Sequence, residues 1–381
     1  MGSLKVRHQR LLVLFHSHKP VFSREGEAVL ENAKAETLAS YFVALNERLD
    51  NILPARFSVL AHIAGYTVRL IFPNMEYARY AVPDMFVRFD SGTETVDATF
   101  IWWEDRIFPY QPYEFSHLKN FEHIVNVGHK GYDIFKAEDS YGYVEVLGDA
   151  LRAENYQEDK YYLMSHPSIY PKWLIVCHPF ERAIFSWAQK HNLLMLHAAA
   201  IGVDGHGVLV VGHGGTGKST LTCSCLVDGY DFISDDLCLL SAIGPRTVYP
   251  IYTNVFLKSD SLIKLPMFRP FEIFPQQGEK SSFVVGETRI SSSLSVEAVI
   301  LPQVTDNTEP DIKLDESRKG LAQLVYSTTV QLGRFQETEF VRKLSQRLLG
   351  MPVYRFSLTK DLQKNCQYLK KWIREELTCT N

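Results

Sequence analysis

The run Gly212-His213-Gly214-Gly215-Thr216-Gly217-Lys218-Ser219 leaves this chain few folds to choose from. It matches G-x-x-x-x-G-K-[ST] in full, with Thr220 following. Glycines let successive backbone N–H groups turn inward and approach phosphate oxygens closely. A helix opening near Lys218 would add its N-terminal partial positive charge. Lys218 then supplies a mobile ammonium for the β/γ-phosphates, and the Ser219 hydroxyl suits a Mg²⁺ shell. The flanks agree: Val208–Val211 is an apolar, strand-like run, and Leu221–Leu226 continues as a helix. A glycine-rich turn that binds nothing would not need the Lys-Ser pair. The expectation is an α/β domain that binds a nucleoside triphosphate through Gly212, Gly214, Gly215, Thr216, Gly217, Lys218, Ser219 and Thr220.

Downstream, Tyr230–Ser234 reads as a strand, and Asp235-Asp236 stand at its end. If it runs parallel to the strand entering the loop, both end on one sheet edge and the carboxylates face the phosphates. Adjacent acids can then divide labour. One holds Mg²⁺ while the other accepts a proton from an attacking hydroxyl. The plainer alternative is an acidic turn capping the next element.

Upstream, Ala198–Val203 and Gly207–Val211 flank Asp204-Gly205-His206-Gly207, strong turn chemistry for a hairpin. A turn centred between Gly205 and His206 places His197 opposite Gly214, beside the phosphates. The alternative is a histidine satisfied at a strand edge. The hairpin also makes the neighbour of the loop strand antiparallel, unlike ordinary P-loop domains.

Elsewhere the pattern predicts helices over Ala33–Leu49 and Phe180–His191, and strands at Leu11–Phe15, Phe57–Ile63, Tyr66–Phe72, Val96–Trp103 and Tyr141–Val146. Val296–Leu301 and Val353–Phe356 read as strands, and Leu321–Leu332, Phe340–Leu349 and Leu362–Glu376 as helices. This suggests a mixed α/β N-terminal domain over 1–160 and a P-loop domain over 161–381 with a helical C-terminal extension. A net charge of −4 gives no reason to expect nucleic acid or anionic membrane as partner. No apolar run reaches the roughly 18–20 residues of a membrane span. The basic stretch after Met1-Gly2-Ser3 lacks a signal-like core. The six cysteines (Cys177, Cys223, Cys225, Cys238, Cys366, Cys379) are scattered, as in a reduced cytoplasmic protein.

The block Leu196-His197-Ala198-Ala199-Ala200, Gly205–Gly207, Gly212–Thr220 and Ser234-Asp235-Asp236 resembles the HPr kinase/phosphorylase superfamily, whose fold is phosphoenolpyruvate-carboxykinase-like. It is most similar to the serine kinases found beside lasso-peptide biosynthesis enzymes. The resemblance implies that Lys218 and Ser219 serve phosphate and Mg²⁺, that Asp235 activates the acceptor hydroxyl, that Asp236 helps hold metal, and that His197 lies beside the phosphates. Lys280, after Gly278-Glu279, stands where such proteins often carry a basic residue. The downstream Glu-x-Arg-Gly-type signature of true HPr kinases has no match here. The implied acceptor is the C-terminal serine of a precursor peptide.

The expected function is therefore an ATP- and Mg²⁺-dependent serine kinase acting on a peptide. A kinase for a small hydroxyl-bearing molecule such as free serine, and a regulatory module that binds nucleotide without transfer, remain rivals. Cys223-x-Cys225 reads as helix packing, and His16-Ser17-His18 lacks a third metal ligand. Trp102-Trp103 and Phe108–Phe115 fit core packing, or a peptide groove. Lys370, Lys371 and Arg374 read as a solvated helix face.

Overall fold

The computed structural model describes residues 37–52, 57–75, 77–78, 87–89, 95–104, 118, 120–124, 134–147, 150–165, 178–252, 254–277, 280–285, 290–317, 319–332 and 338–377. Leu11–Phe15, His16–His18 and Phe108–Phe115 lie outside them. The fold is mixed α/β, with parallel and antiparallel strands in its sheets.

Helix α1 (Leu38–Ile52) precedes the first sheet. That sheet is built from β1 (Phe57–Ile63), β2 (Tyr66–Phe72), β3 (Val87–Phe89), β4 (Ala98–Glu104), β5 (Glu122–Ile124), β6 (Ile134–Glu138), β7 (Gly142–Leu147), β8 (Ala150–Asn155) and β9 (Lys160–Ser165). Their order is β3-β1-β2-β4-β9-β8-β7-β6-β5, with β4 parallel to both β2 and β9. Strand alternation sends neighbouring side chains to opposite faces. On one face, Trp103, Ile101 and Tyr162 pack with Tyr41, Phe42 and Leu45 of α1. On the other, Phe100, Trp102 and Tyr161 pack with α2 (Glu181–Lys190), whose Trp187 meets Phe100 and Tyr66 at ring distances of 6.2 and 5.4 Å. Trp102 and Trp103 are 2% and 0% exposed, so both are core and neither lines a surface groove.

The other face of α2 carries the same core onward. Its members include Leu194 and Leu196 of β10 (Leu193–His197) and Leu239 of β14 (Leu237–Ser241). The second sheet also contains β11 (Ala199–Val203), β12 (His206–Val210), β13 (Asp231–Ser234), β15 (Thr247–Pro250) and β19 (Leu294–Val304), in the order β10-β14-β15-β19-β12-β11-β13. Burying one large apolar side chain is worth roughly 1.5–3 kcal/mol. A core shared across α2 therefore ties the two sheets together far more strongly than any surface ion pair.

Within the second sheet, helix α3 (Lys218–Val227) follows β12. A small antiparallel sheet of β16 (Asn254–Lys258), β17 (Glu272–Gln277) and β18 (Lys280–Val284) lies beyond it, with the short α4 (Ser259–Lys264) between β16 and β17. The chain closes with β20 (Asp311–Leu314), α5 (Lys319–Leu332), α6 (Thr338–Leu348), β21 (Val353–Leu358) and α7 (Leu362–Trp372), which ends in a π-turn at Ile373–Leu377. Helix α7 is not wholly a solvated face. Lys370 is half-buried, 2.7 Å from the Asp228 carboxylate at the end of α3 and over the Tyr230 ring, while Arg374 reaches Asp204 at 2.9 Å.

Candidate functional site

Strand β12 is held between antiparallel β11 and parallel β19, and the Val211 N–H extends the ladder to the Ile300 carbonyl at 3.0 Å. The chain then turns away from the sheet. Thr216 anchors the turn, its N–H and hydroxyl both donating to the His213 carbonyl at 3.3 and 3.0 Å. Gly217, at φ 98°, brings the backbone into α3, and no side chain caps that helix. Its first N–H groups therefore have no cap of their own, which is the arrangement that receives an anion.

Lys218 folds back from the helix start towards the acid pair. Its Nζ donates to the Asp235 carbonyl at 2.8 Å and lies 3.4 Å from Asp236 Oδ1. The acids reach this position because β13 pairs antiparallel with β11, and β11 antiparallel with β12. So β13 runs in the same direction as β12, one strand removed, and both point their C-terminal ends at one edge.

The two acids face different surroundings. The Asp235 residue is 1% exposed. Its Oδ1 accepts the Thr222 hydroxyl at 2.8 Å and its Oδ2 the Phe256 N–H at 3.3 Å. Asp236 sits between Lys218 and His197, whose Nε2 is 3.1 Å from Oδ1. Burial alone would raise the Asp236 carboxyl; Lys218, then the His197 hydrogen bond, outweigh it and hold it well below the usual carboxylate range. An ionised Asp236 fixes the His197 proton on Nε2, and leaves Nδ1 buried with no hydrogen-bond partner among the described residues.

His197 arrives by a route that the sequence spacing did not give. The β11–β12 hairpin closes on a two-residue turn, Asp204-Gly205, both left-handed at φ 55° and 84°, with Val203 facing His206. Such a turn matches the strand twist. The turn centre therefore falls one position earlier than expected. More important, β10 ends at His197, so His197 pairs with Leu237 of β14 rather than with Gly214. It meets the acid pair through the neighbour of Asp236, and Thr328 of α5 accepts its N–H at 3.1 Å.

The remaining sequence-selected positions divide. Gly212, Gly214, Gly215, Thr216 and Gly217 form the loop, and Ser219 lies half-buried on the first turn of α3. The Thr220 hydroxyl is instead 2.7 Å from Ser261 of α4, away from the acid pair. Lys280, which opens β18, acts electrostatically on His178 and Cys223.

Three participants escaped the sequence reading. Thr222 is one helical turn beyond Lys218, so its facing direction could have been read from the 3.6 period. Thr328 lies too far along the chain to be placed. His178, three residues before the start of α2, packs on Tyr252 and Phe256 at ring distances of 4.6 and 5.2 Å. Burial pushes its pKa down to about 4, so it is neutral near pH 7. Its 3.7 Å approach to Glu181, whose carboxyl burial pushes up, is accordingly not a full ion pair.

The residues suit a Mg²⁺–nucleotide. A Cβ built at Gly214 or Gly215 meets nothing within 4 Å, so the loop presents open backbone to a ligand. Mg²⁺ favours oxygen and takes one or two protein oxygens plus phosphates and water, which Ser219 and Asp236 can supply. Among the described residues no group of three or more His, Cys, Asp or Glu forms a metal cage.

No protein-family model and no curated protein matches the chain. Among solved structures it is similar to the HPr(Ser) kinase/phosphatase from Coxiella burnetii, at 12% identity over 49% of this chain and 97% of that chain, with a TM-score of 0.27. That likeness is too slight to carry residue roles from one protein to the other.

Proposed function

We propose that this chain is a kinase that moves the γ-phosphate of ATP to a serine hydroxyl. The observation that carries the reading is the single cluster of Lys218, Asp235, Asp236 and His197 at the mouth of the glycine loop. A structural lysine would need no acid pair and no uncapped helix beside it.

In the transfer, the serine oxygen attacks the γ-phosphorus, the bond to the β–γ bridging oxygen breaks, and the hydroxyl proton passes to Asp235. Asp235 suits this role because Thr222 and Phe256 engage only two of the roughly four lone-pair sites of its carboxylate. Asp236, held ionised by Lys218 and His197, suits the metal. Mg²⁺, held by Ser219 and Asp236, would neutralise phosphate charge. Lys218 leaves its contact with Asp236 to meet the phosphates, while the loop amides and the start of α3 orient them. Neutral His178 packs behind Phe256 and keeps a second positive charge out of the acid pair.

The acceptor we assign is a serine at the C-terminus of a precursor peptide of lasso type, on the strength of the motif resemblance. Its recognition is placed on residues 1–160. The core shared through α2 supports that placement, since it holds the first sheet against the strands that carry the acids. A cytoplasmic setting follows from the same reading.

Intact-mass spectrometry of serine-terminated peptides with enzyme, ATP and Mg²⁺ tests the assignment. A gain of about 80 Da that requires the terminal serine supports it. Phosphorylation of free serine alone would move the acceptor to a metabolite, and neither product would favour a regulatory module.

A further inference from the structure

A second cleft, of ≈ 350 Å³, opens where the end of α2, the start of β10, the β14–β15 turn and α6 meet. It is separate from the glycine loop. The cleft touches Leu193 at one end of β10 and His197 stands at the other, about 13 Å away by the strand rise.

Three of its lining residues are cationic, Arg246, Lys343 and Arg347, and none is acidic. Both guanidiniums are pinned by backbone carbonyls. Arg347 donates through Nε to Ser241 and through one terminal nitrogen to Gly244 and Pro245, at 2.7, 2.8 and 2.6 Å. Arg246 donates through Nε to Arg347 and through one terminal nitrogen to Leu349, at 3.2 and 2.8 Å. Those bonds fix the forks in place and leave the second terminal nitrogen of each without a partner among the described residues. No carboxylate among those residues pairs with either arginine. Among the described residues Lys343 has only a 3.8 Å contact with Glu339, itself exposed. Burial first, and then the neighbouring Arg246, lower the Arg347 pKa.

The geometry points to a binding site for a small organic anion, one carrying phosphate or carboxylate groups on a compact apolar body. Each arginine keeps one terminal nitrogen for such oxygens, so the two together can donate charge-assisted hydrogen bonds to one anion. Leu193, Leu194 and Ile243 offer the apolar wall, and the volume is at the lower end for a small-molecule site. A purely structural role explains the carbonyl bonds, which tie α6 to the β14–β15 turn, but not three cations lining an open cleft that no carboxylate lines among the described residues.

The test uses the full chain and two probes, inorganic phosphate and citrate, read as the shift in thermal midpoint. Substituting either arginine would break the backbone ties, so the site variant is Lys343→Glu, which places a carboxylate beside both forks. Lys218→Ala controls for binding at the glycine loop. At tenfold excess over Kd a probe should raise the midpoint by about 2 °C. The site predicts that this shift survives Lys218→Ala and disappears in Lys343→Glu. A shift lost in Lys218→Ala assigns the anion to the glycine loop and overturns the proposal. So does a shift retained in both variants, or no shift with either probe. Phosphate acting without citrate would mark the site as phosphate-selective, and citrate without phosphate as carboxylate-selective.

Discussion

His197 and Asp236 stand 39 residues apart in sequence, and their side chains meet at 3.1 Å. Their strands are neighbours: β10 ends at His197, and β14 begins at Leu237, its register partner. The imidazole therefore steadies the carboxylate from the neighbouring strand. If Asp236 holds metal, His197→Ala should lower turnover by roughly 10–100-fold. His197→Gln, which keeps a nitrogen donor near the Nε2 position, should recover part of it. A kcat unchanged in the alanine variant would remove His197 from the site.

Thr222 holds the other acid. Its hydroxyl is the only side-chain donor to the Asp235 carboxylate among the described residues. Thr222→Val keeps the shape and removes that donor, leaving a buried carboxylate under-bonded at a cost of about 1–3 kcal/mol. Urea unfolding should register the loss, and Thr222→Ser should restore most of it.

His178 predicts a pH dependence of stability. The folded protein keeps it neutral down to about pH 4, whereas the unfolded chain protonates it near 6.5. The unfolded state thus binds the proton first. Stability is full above about pH 6.5 and falls towards pH 4, by about 3 kcal/mol at most. The raised Glu181 carboxyl works in the opposite sense in the lower part of this window. The difference between wild type and His178→Phe isolates the histidine: it should grow as pH drops below 6.5, and a flat difference would contradict the burial argument.

Gly217 sits at φ 98°, and a Cβ there would come within 3.2 Å of both Leu358 and Val304. Gly217→Ala should cost about 1–2 kcal/mol in left-handed strain and weaken nucleotide binding, because the displaced turn carries the start of α3. Calorimetric titration with ATP checks the second effect. Unchanged affinity would mean that the loop does not hold phosphate.

Much of this architecture was legible in the sequence because it is local. Period-3.6 spacing placed Leu38, Tyr41, Phe42, Leu45 and Leu49 on one buried stripe of α1. Apolar runs placed β1, β2 and β19, and turn residues placed the β11–β12 hairpin. What failed was long-range. The position of His197 depends on where β10 stops and which strand it joins, and Ala198 interrupts the run with no residue type that announces a break. Extrapolating the hairpin register past that point led to Gly214. Likewise, Lys370 looked solvated because its partner Asp228 lies far back in the chain. His178 carried no motif at all; only its packing on Tyr252 and Phe256 marks it.

The central claim is that Lys218 and Asp235 serve one transfer step, and a single-turnover assay tests it most directly. Wild type, Lys218→Ala and Asp235→Asn are each mixed with ATP, Mg²⁺ and a serine-terminated peptide, and phosphopeptide is followed by mass spectrometry. The account predicts product from wild type, with both variants slower by at least about 10²-fold yet unfolding cooperatively near the wild-type midpoint. Product formed at the wild-type rate by either folded variant would contradict it.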